Sequence, residues 1–169
     1  MKFISIFIIL FISSFNVTGK EMAIMDHSHM PINLPENTPV PALSIQLNQD
    51  AMSGYNLALT LQRYTLIPPP ASVLSMSDLM VATINKTSGF IEGHAHLYIN
   101  GTKIQRIYGE NIHIPQTHFK TGINTVSVTL NNHGHMYWVA NKKKILATLY
   151  IDQAKTPFIT YQFESFPAK

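Results

Sequence analysis

The sequence predicts an all-β fold, an antiparallel β-sandwich of about seven short strands. Apolar and polar residues alternate with a period of two in several segments, as they do in a strand with one buried face. The dipeptide Asn100-Gly101 lies between two of these segments and is a strong hairpin signal. Strands that each carry one apolar face bury those faces against one another, so two packed sheets are expected.

The predicted strands occupy a sandwich domain over residues 42–152. The hairpin pairs residues 90–99 with residues 103–108, and the triple proline at 68–70 precedes a short helix or loop at 72–80. Residues 153–169 are expected to form either a tail or one more edge strand. The other alternating segments are residues 43–47, 57–61, 126–130 and 145–151.

The composition excludes several classes of function. The chain has 169 residues and no cysteine, which excludes disulfide frameworks, thiolate zinc sites, iron–sulfur clusters and cysteine nucleophiles. Twelve basic and nine acidic residues give a net charge of +3, too small and too scattered to indicate a nucleic-acid partner. The sequence contains no Gly-x-Ser-x-Gly elbow, no glycine-rich phosphate loop and no His-Glu-x-x-His motif, so we predict no enzymatic activity.

The amino terminus has the features of a secretory signal peptide. Lys2 precedes an apolar run over residues 3–12, and small or polar residues follow, with Val17 and Gly19 at the spacing of a cleavage site. The run is shorter than the roughly 20 residues that span a bilayer, although an uncleaved anchor is the alternative. We therefore predict a signal peptide over residues 1–19, cleavage near Gly19 and a periplasmic or secreted protein that is not an integral membrane protein.

Residues 20–41 are predicted to form a flexible arm, because prolines recur and no sustained period is present. This arm contains the sequence Met-Asp-His-Ser-His-Met. Thioether sulfur selects Cu(I), and imidazole binds both oxidation states of copper. The arm is thus a candidate copper-binding strip, and the alternative is an ordinary polar arm. Its candidate ligands are Met25, His27, His29 and Met30.

Six of the eight histidines lie between residues 94 and 135, and their spacing indicates a second candidate site. His94 and His96 are two residues apart on a predicted strand, so both imidazoles project from the same face, about 6.5–7 Å apart along the backbone. Two imidazoles at that distance can converge on one metal ion. Glu92 and Tyr98 share this face and could orient a ligand imidazole by hydrogen bonding.

The segment His133-Gly134-His135 repeats the same spacing just after the strand that ends at Leu130, and Met136 follows it. The two pairs together could supply three or four nitrogens, and imidazole suits copper, zinc and nickel. His113 is a further candidate ligand, whereas His118 is expected to be a surface residue. The alternative for each pair is a histidine exposed on a strand face with no ligand role.

Residues 93–109 read GHAHLYINGTKIQRIYG and resemble a family of small exported bacterial domains with the signature GHxHLYx[ND]GxKxxRxYG. The resemblance spans roughly residues 54–151. It implies an immunoglobulin-like β-sandwich with no assigned reaction, and it implicates His94, His96, His113 and His133. The chain departs from the family after Leu130, so either His133 or His135 takes the family's last position.

The arm is similar, over six residues, to the His/Met-rich segments of exported copper-resistance proteins. We therefore predict a non-catalytic exported protein that sequesters or delivers copper in the periplasm, with zinc as the alternative metal and another exported copper protein as a candidate partner. The rival prediction is a β-sandwich that binds a protein or a glycan and has no metal role.

Overall fold

A computed structural model describes residues 30–71 and 75–164. The predicted signal peptide lies outside the described residues. So do three of the four candidate ligands of the arm, Met25, His27 and His29.

Strands make up about half of the described residues and helix is almost absent, which confirms the predicted all-β sandwich. The only α-helix of the described residues is α1, Met76–Met80, within the segment expected to be a helix or a loop. The strands in chain order are β1 Pro31–Asn33, β2 Ala42–Gln49, β3 Tyr55–Gln62, β4 Tyr64–Leu66, β5 Thr83–Ile84, β6 Ile91–Ile99, β7 Thr102–Ile107, β8 Asn111–Ile114, β9 Ile123–Asn131, β10 Tyr137–Ala140, β11 Lys143–Lys144, β12 Leu146–Asp152 and β13 Ile159–Glu164.

The larger sheet is centred on β9, which pairs with β6 on one side and with β12 on the other, both antiparallel. β7 and β13 extend the sheet outward from β6 and β12. At the carboxyl end of β9 the sheet continues into β10, and β1 pairs with β10 in parallel. The short strands β4 and β5 pair with the start of β6.

The smaller sheet has three antiparallel strands in the order β2-β3-β8. Its leucines and isoleucines alternate with polar residues and pack against the apolar face of the larger sheet. The core between the sheets is therefore built from period-2 alternation on both sides. Its largest fully buried side chains include Trp138, Tyr55, Leu57, Leu97 and Leu149.

The predicted hairpin is present, with β6 and β7 paired across Asn100-Gly101. Both turn residues have positive φ angles, 52° at Asn100 and 81° at Gly101, as a two-residue type I′ turn requires.

The strand count and the strand boundaries differ from the prediction. The described residues form thirteen strands rather than about seven, because pieces of two to four residues such as β1, β5 and β11 are too short to show a period. β1 lies within the predicted flexible arm and is held by β10. β13 takes the edge-strand alternative for the carboxyl-terminal segment. None of the helices among the described residues has the length and apolar character needed to cross a membrane.

Candidate metal centre

Both faces of β6 are buried. Its odd-numbered residues, such as Ala95 and Leu97, belong to the core between the sheets. On the opposite face only 1% of His94 and 0% of His96 is exposed. The reading of this pair as histidines on an exposed strand face is therefore wrong, because other parts of the chain cover them.

The imidazoles of His94, His96 and His135 come together on this second face. The ring centroids are 4.8 Å apart for His94 and His96, 5.0 Å for His94 and His135, and 5.3 Å for His96 and His135. One ligand atom of each ring lies within 4.8 Å of the other two, so this histidine group could hold a metal ion.

The distances within the histidine group suit metal binding. Nε2 of His94 and Nε2 of His96 are 2.9 Å apart. Two nitrogens bound to one ion at about 2.0–2.1 Å are separated by about 2.9–3.4 Å in square-planar or tetrahedral geometry. His94 and His96 already meet this condition. The three ligand atoms lie within 4.8 Å of one another, so the ring of His135 has to come closer for all three nitrogens to bind one ion.

The turn between β9 and β10 presents His135. Its backbone is held by two fully buried asparagines: the side chain of Asn131 donates to the carbonyl of His135 at 2.8 Å, and the side chain of Asn132 accepts from the amide of Met136 at 2.9 Å. Asn132 also donates to the carbonyl of Met80 at the end of α1. These bonds hold His135 in the left-handed region, with a φ of 72°.

Gly93 allows the neighbouring elements to approach the backbone beside His94. A Cβ at Gly93 would collide with the carbonyl oxygen of Asn131 and with the hydroxyl of Tyr64. That hydroxyl donates to the carbonyl of Asn131 at 2.7 Å and lies 3.1 Å from the carbonyl of His94. Burial raises the pKa of Tyr64, so the hydroxyl remains a donor at physiological pH.

The surroundings keep His94 neutral. Burial lowers its pKa from 6.5 to about 2, and His96, His135 and Arg106 act in the same direction because they disfavour a further positive charge. Arg106 lies directly opposite His96 on β7. A neutral imidazole keeps a nitrogen lone pair for a metal ion, which an imidazolium does not.

His133 lies beside the histidine group rather than in it. Its ring is stacked 6.4 Å from the ring of His94, and only 3% of the residue is exposed. Burial lowers the pKa of His133, while the charge of Glu92 opposes this change. Within the described part of the chain, both ring nitrogens of His133 and Nδ1 of His94 are buried without a hydrogen-bond partner. A buried donor left unpaired costs about 1–3 kcal/mol, so this region of the molecule favours a bound partner.

Two tyrosines lie beside the group, whereas the predicted carboxylate bonds to another residue. The hydroxyl of Tyr98 is 3.4 Å from Nδ1 of His96, the position from which a second residue can orient a ligand imidazole. The ring of Tyr108 lies 5.5 Å from the ring of His94 and is partly exposed. Glu92 instead accepts a hydrogen bond from the side chain of Asn85 at 2.7 Å and is half-buried.

His113 and His118 lie outside the histidine group, as the surface position expected for His118 requires. His113 is exposed on β8, in the smaller sheet, where its Nδ1 is 3.1 Å from the side-chain oxygen of Asn56. His118 is exposed in the 3₁₀ turn Gln116–His118. Met136 is buried, and Met30 is exposed, with its carbonyl accepting a hydrogen bond from the amide of Tyr137.

Comparisons with protein-family models, curated proteins and solved structures gave no match. The resemblance to small exported bacterial domains, with its immunoglobulin-like fold, therefore stays a prediction.

Sequence reasoning missed the residues that shape the site. Tyr64 is 30 positions before His94, and no local pattern connects the two. A signal for Asn131 and Asn132 was present, because two consecutive asparagines at the end of an apolar strand are unusual unless their side chains bond to a turn.

Proposed function

We propose that this protein is an exported, non-catalytic copper-binding protein that sequesters or delivers copper in the periplasm. The observation that carries the proposal is the group of three imidazoles, one ligand atom from each within 4.8 Å of the others. The ligands are histidines, and imidazole binds both Cu(I) and Cu(II).

The burial of the ligands supports storage or transfer rather than catalysis. His94 and His96 are almost completely buried, and His135 is the one member of the group that is partly exposed. The rings of Tyr108 and His135, 5.5 Å and 5.0 Å from the ring of His94, add to this shielding. A carrier needs such a shielded site, since shielding slows loss of the ion and its reaction with other molecules.

The choice of copper over zinc rests on the arm. Three imidazoles alone suit zinc as well as copper, so the histidine group does not distinguish the two metals. The segment from Met25 to Met30 adds two thioethers and two imidazoles, and thioether sulfur is a soft ligand that favours Cu(I). Another exported copper protein is the partner that such a carrier would serve.

The test replaces the two strand ligands together, His94→Ala and His96→Ala, in protein expressed from the full sequence. We expect stoichiometric copper binding to be lost, with affinity falling at least about 1,000-fold, or about 4 kcal/mol. Metal content and chelator competition measure this change. The matched control is His113→Ala with His118→Ala, which removes two exposed histidines of the same chain and should leave affinity unchanged.

A second variant guards against a fold that fails when two buried side chains are truncated. His135→Asn removes the partly exposed ligand and keeps a residue that tolerates positive φ. We expect the fold to persist and copper affinity to fall. Wild-type affinity in both the double variant and His135→Asn would contradict the proposal.

An exposed aromatic patch supports a second candidate function, the binding of a protein or a glycan. Tyr150, Tyr161 and Phe163 lie on β12 and on the edge strand β13, with ring centroids 6.0–6.4 Å apart. Between 36% and 62% of each is exposed. Such rings suit stacking against a glycan or packing against a protein. This function predicts that Tyr161→Ala abolishes partner binding, while the histidine variants have no effect on it.

A further inference from the structure

Two cationic side chains lie beside the histidine group, and the first is Arg106. It pairs directly opposite His96 across β6 and β7. Side chains opposite each other in an antiparallel pair share a face, with their Cβ atoms about 4.5–5.5 Å apart. The face that carries His96 therefore also carries Arg106, whose guanidinium stays charged at physiological pH.

Lys144 supplies the second cation. Its ammonium lies 4.0 Å from the ring centroid of Tyr137 and 5.9 Å from that of Tyr98. The faces of such rings attract and stabilise an ammonium. Tyr98 also contacts the histidine group, with its ring centroid 6.2 Å from that of His96 and its hydroxyl 3.4 Å from Nδ1 of His96. A single side chain thus connects Lys144 to a candidate ligand.

The candidate ligands themselves carry no negative charge that would offset these cations. All three members of the group are histidines, and no carboxylate of the described residues belongs to it. Glu92 bonds to Asn85, and its charge acts on His133. At His94, by contrast, the charge of Arg106 and those of the neighbouring histidines all disfavour a further positive charge. The group is therefore a set of neutral ligands in positively charged surroundings.

Such surroundings act unequally on monovalent and divalent ions. Coulomb energy is proportional to the charge of the bound ion, so each nearby cation costs a divalent ion twice as much as a monovalent one. Lys144 is half-buried and burial lowers its pKa, which indicates surroundings poor in water, where a charge is weakly screened. Imidazole by itself suits both copper and zinc, so the surrounding charge is what separates the ions.

We propose that Arg106 and Lys144 make the histidine group selective for a monovalent ion, Cu(I), over divalent ions such as Zn(II). This inference rests on the proposed function and adds to it the charge state of the ion. A site can be specific because it repels the wrong ligand as well as because it attracts the right one. Zinc is the competitor that three imidazoles would otherwise accept, and the two cations weaken its binding more than that of Cu(I).

The test measures the affinities of the full-length protein for Cu(I), under anaerobic conditions, and for Zn(II), each by chelator competition at neutral pH. Arg106→Gln with Lys144→Met removes both charges and keeps most of the length of each side chain. We expect each lost charge to raise affinity about threefold for Cu(I) and about tenfold for Zn(II). The double variant should therefore gain about tenfold for Cu(I) and about 100-fold for Zn(II), and its preference for Cu(I) should fall about tenfold.

Two controls separate charge from shape. Arg106→Lys with Lys144→Arg keeps both charges, and we expect the wild-type ratio of the two affinities. Lys120→Gln removes a cation near the start of β9, where the backbone of Lys120 bonds to the side chain of Asn124, whereas the histidine group lies at the other end of that strand. This variant should also keep the wild-type ratio.

An unchanged ratio of the two affinities in Arg106→Gln with Lys144→Met would overturn the charge selectivity and leave the proposed function intact. An equal loss of the preference for Cu(I) in the charge-conserving double variant would do the same, because shape rather than charge would then set the ratio. Failure of the wild type to bind either ion would overturn both the inference and the proposed function.

Discussion

The two faces of β6 are both buried at the middle of the strand but are chemically opposite. One face contributes Ile91, Ala95 and Leu97 to the core between the sheets. The other contributes His94 and His96, which are covered by the turn after β9 and by aromatic side chains. The side chains of the first face are stabilised by removal of their apolar surface from water, and they need no hydrogen-bond partners. The second carries ring nitrogens that need partners, and Nδ1 of His94 has none among the residues that the structure describes.

One strand of a sandwich can thus serve the core with one face and carry a candidate metal site on the other. Apolar burial on one face holds the strand rigidly, and the same rigidity fixes Nε2 of His94 and Nε2 of His96 2.9 Å apart on the other. The histidine face is therefore expected to respond to pH and to metal, and the apolar face to neither.

The largest expected effect comes from the apolar face. Leu97→Ala should lower the free energy of unfolding by about 2–5 kcal/mol, because it removes a fully buried side chain from the core. Urea denaturation measures this loss. Copper affinity of the folded variant should remain at the wild-type value, since Leu97 projects away from the histidine group. If Leu97→Ala instead lowered copper affinity strongly and left the free energy of unfolding unchanged, the two faces would not act independently.

The next effect is a pH dependence confined to the histidine face. The folded pKa of His94 is depressed below the unfolded value near 6.5, so only the unfolded chain takes up this proton as the pH falls. Stability is therefore fully present above pH 6.5 and declines below it. We expect the metal-free protein to lose about 2 kcal/mol of unfolding free energy between pH 6.5 and pH 5 from this residue.

Urea denaturation at several pH values, with chelator present, measures that decline. His94→Gln should make the profile shallower, with the remaining slope coming from the buried His133, whereas His113→Gln, which changes an exposed histidine, should keep the wild-type profile. A wild-type profile that is flat between pH 7 and pH 5 would contradict the burial of a neutral imidazole.

The smallest effect concerns the orientation of one ligand. Tyr98→Phe removes the hydroxyl beside Nδ1 of His96, and we expect copper affinity to fall by about tenfold, the low end for residues that orient metal ligands. The effect is small because the contact is long, at 3.4 Å. Tyr161→Phe, a change at an exposed ring on the edge strand, is the control in the same competition titration. If Tyr98→Phe changes copper affinity no more than Tyr161→Phe does, then Tyr98 does not orient the imidazole of His96.

Local pattern predicted the sandwich, the hairpin at Asn100-Gly101 and the shared face of His94 and His96. It did not predict what covers that face, because burial of a strand's second face depends on which distant elements pack there. It left His133 and His135 as alternatives for the same reason: both lie in one turn, and hydrogen bonds from Asn131 and Asn132 decide how the turn folds. The pairing of β1 with β10 could not be predicted from the sequence either, because a strand of three residues that begins with proline shows no periodic pattern.

The most direct test of the central claim follows the imidazole nitrogens by nuclear magnetic resonance while Cu(I), and separately Zn(II), is added to the full-length protein. Both ions are diamagnetic, so each histidine can be observed in the bound state. We predict that the ring nitrogens of His94, His96 and His135 shift together and saturate at one equivalent of copper, while His113 and His118 do not change. Shifts confined to His113 and His118, or no saturable shift at any histidine, would contradict a metal centre on the histidine face.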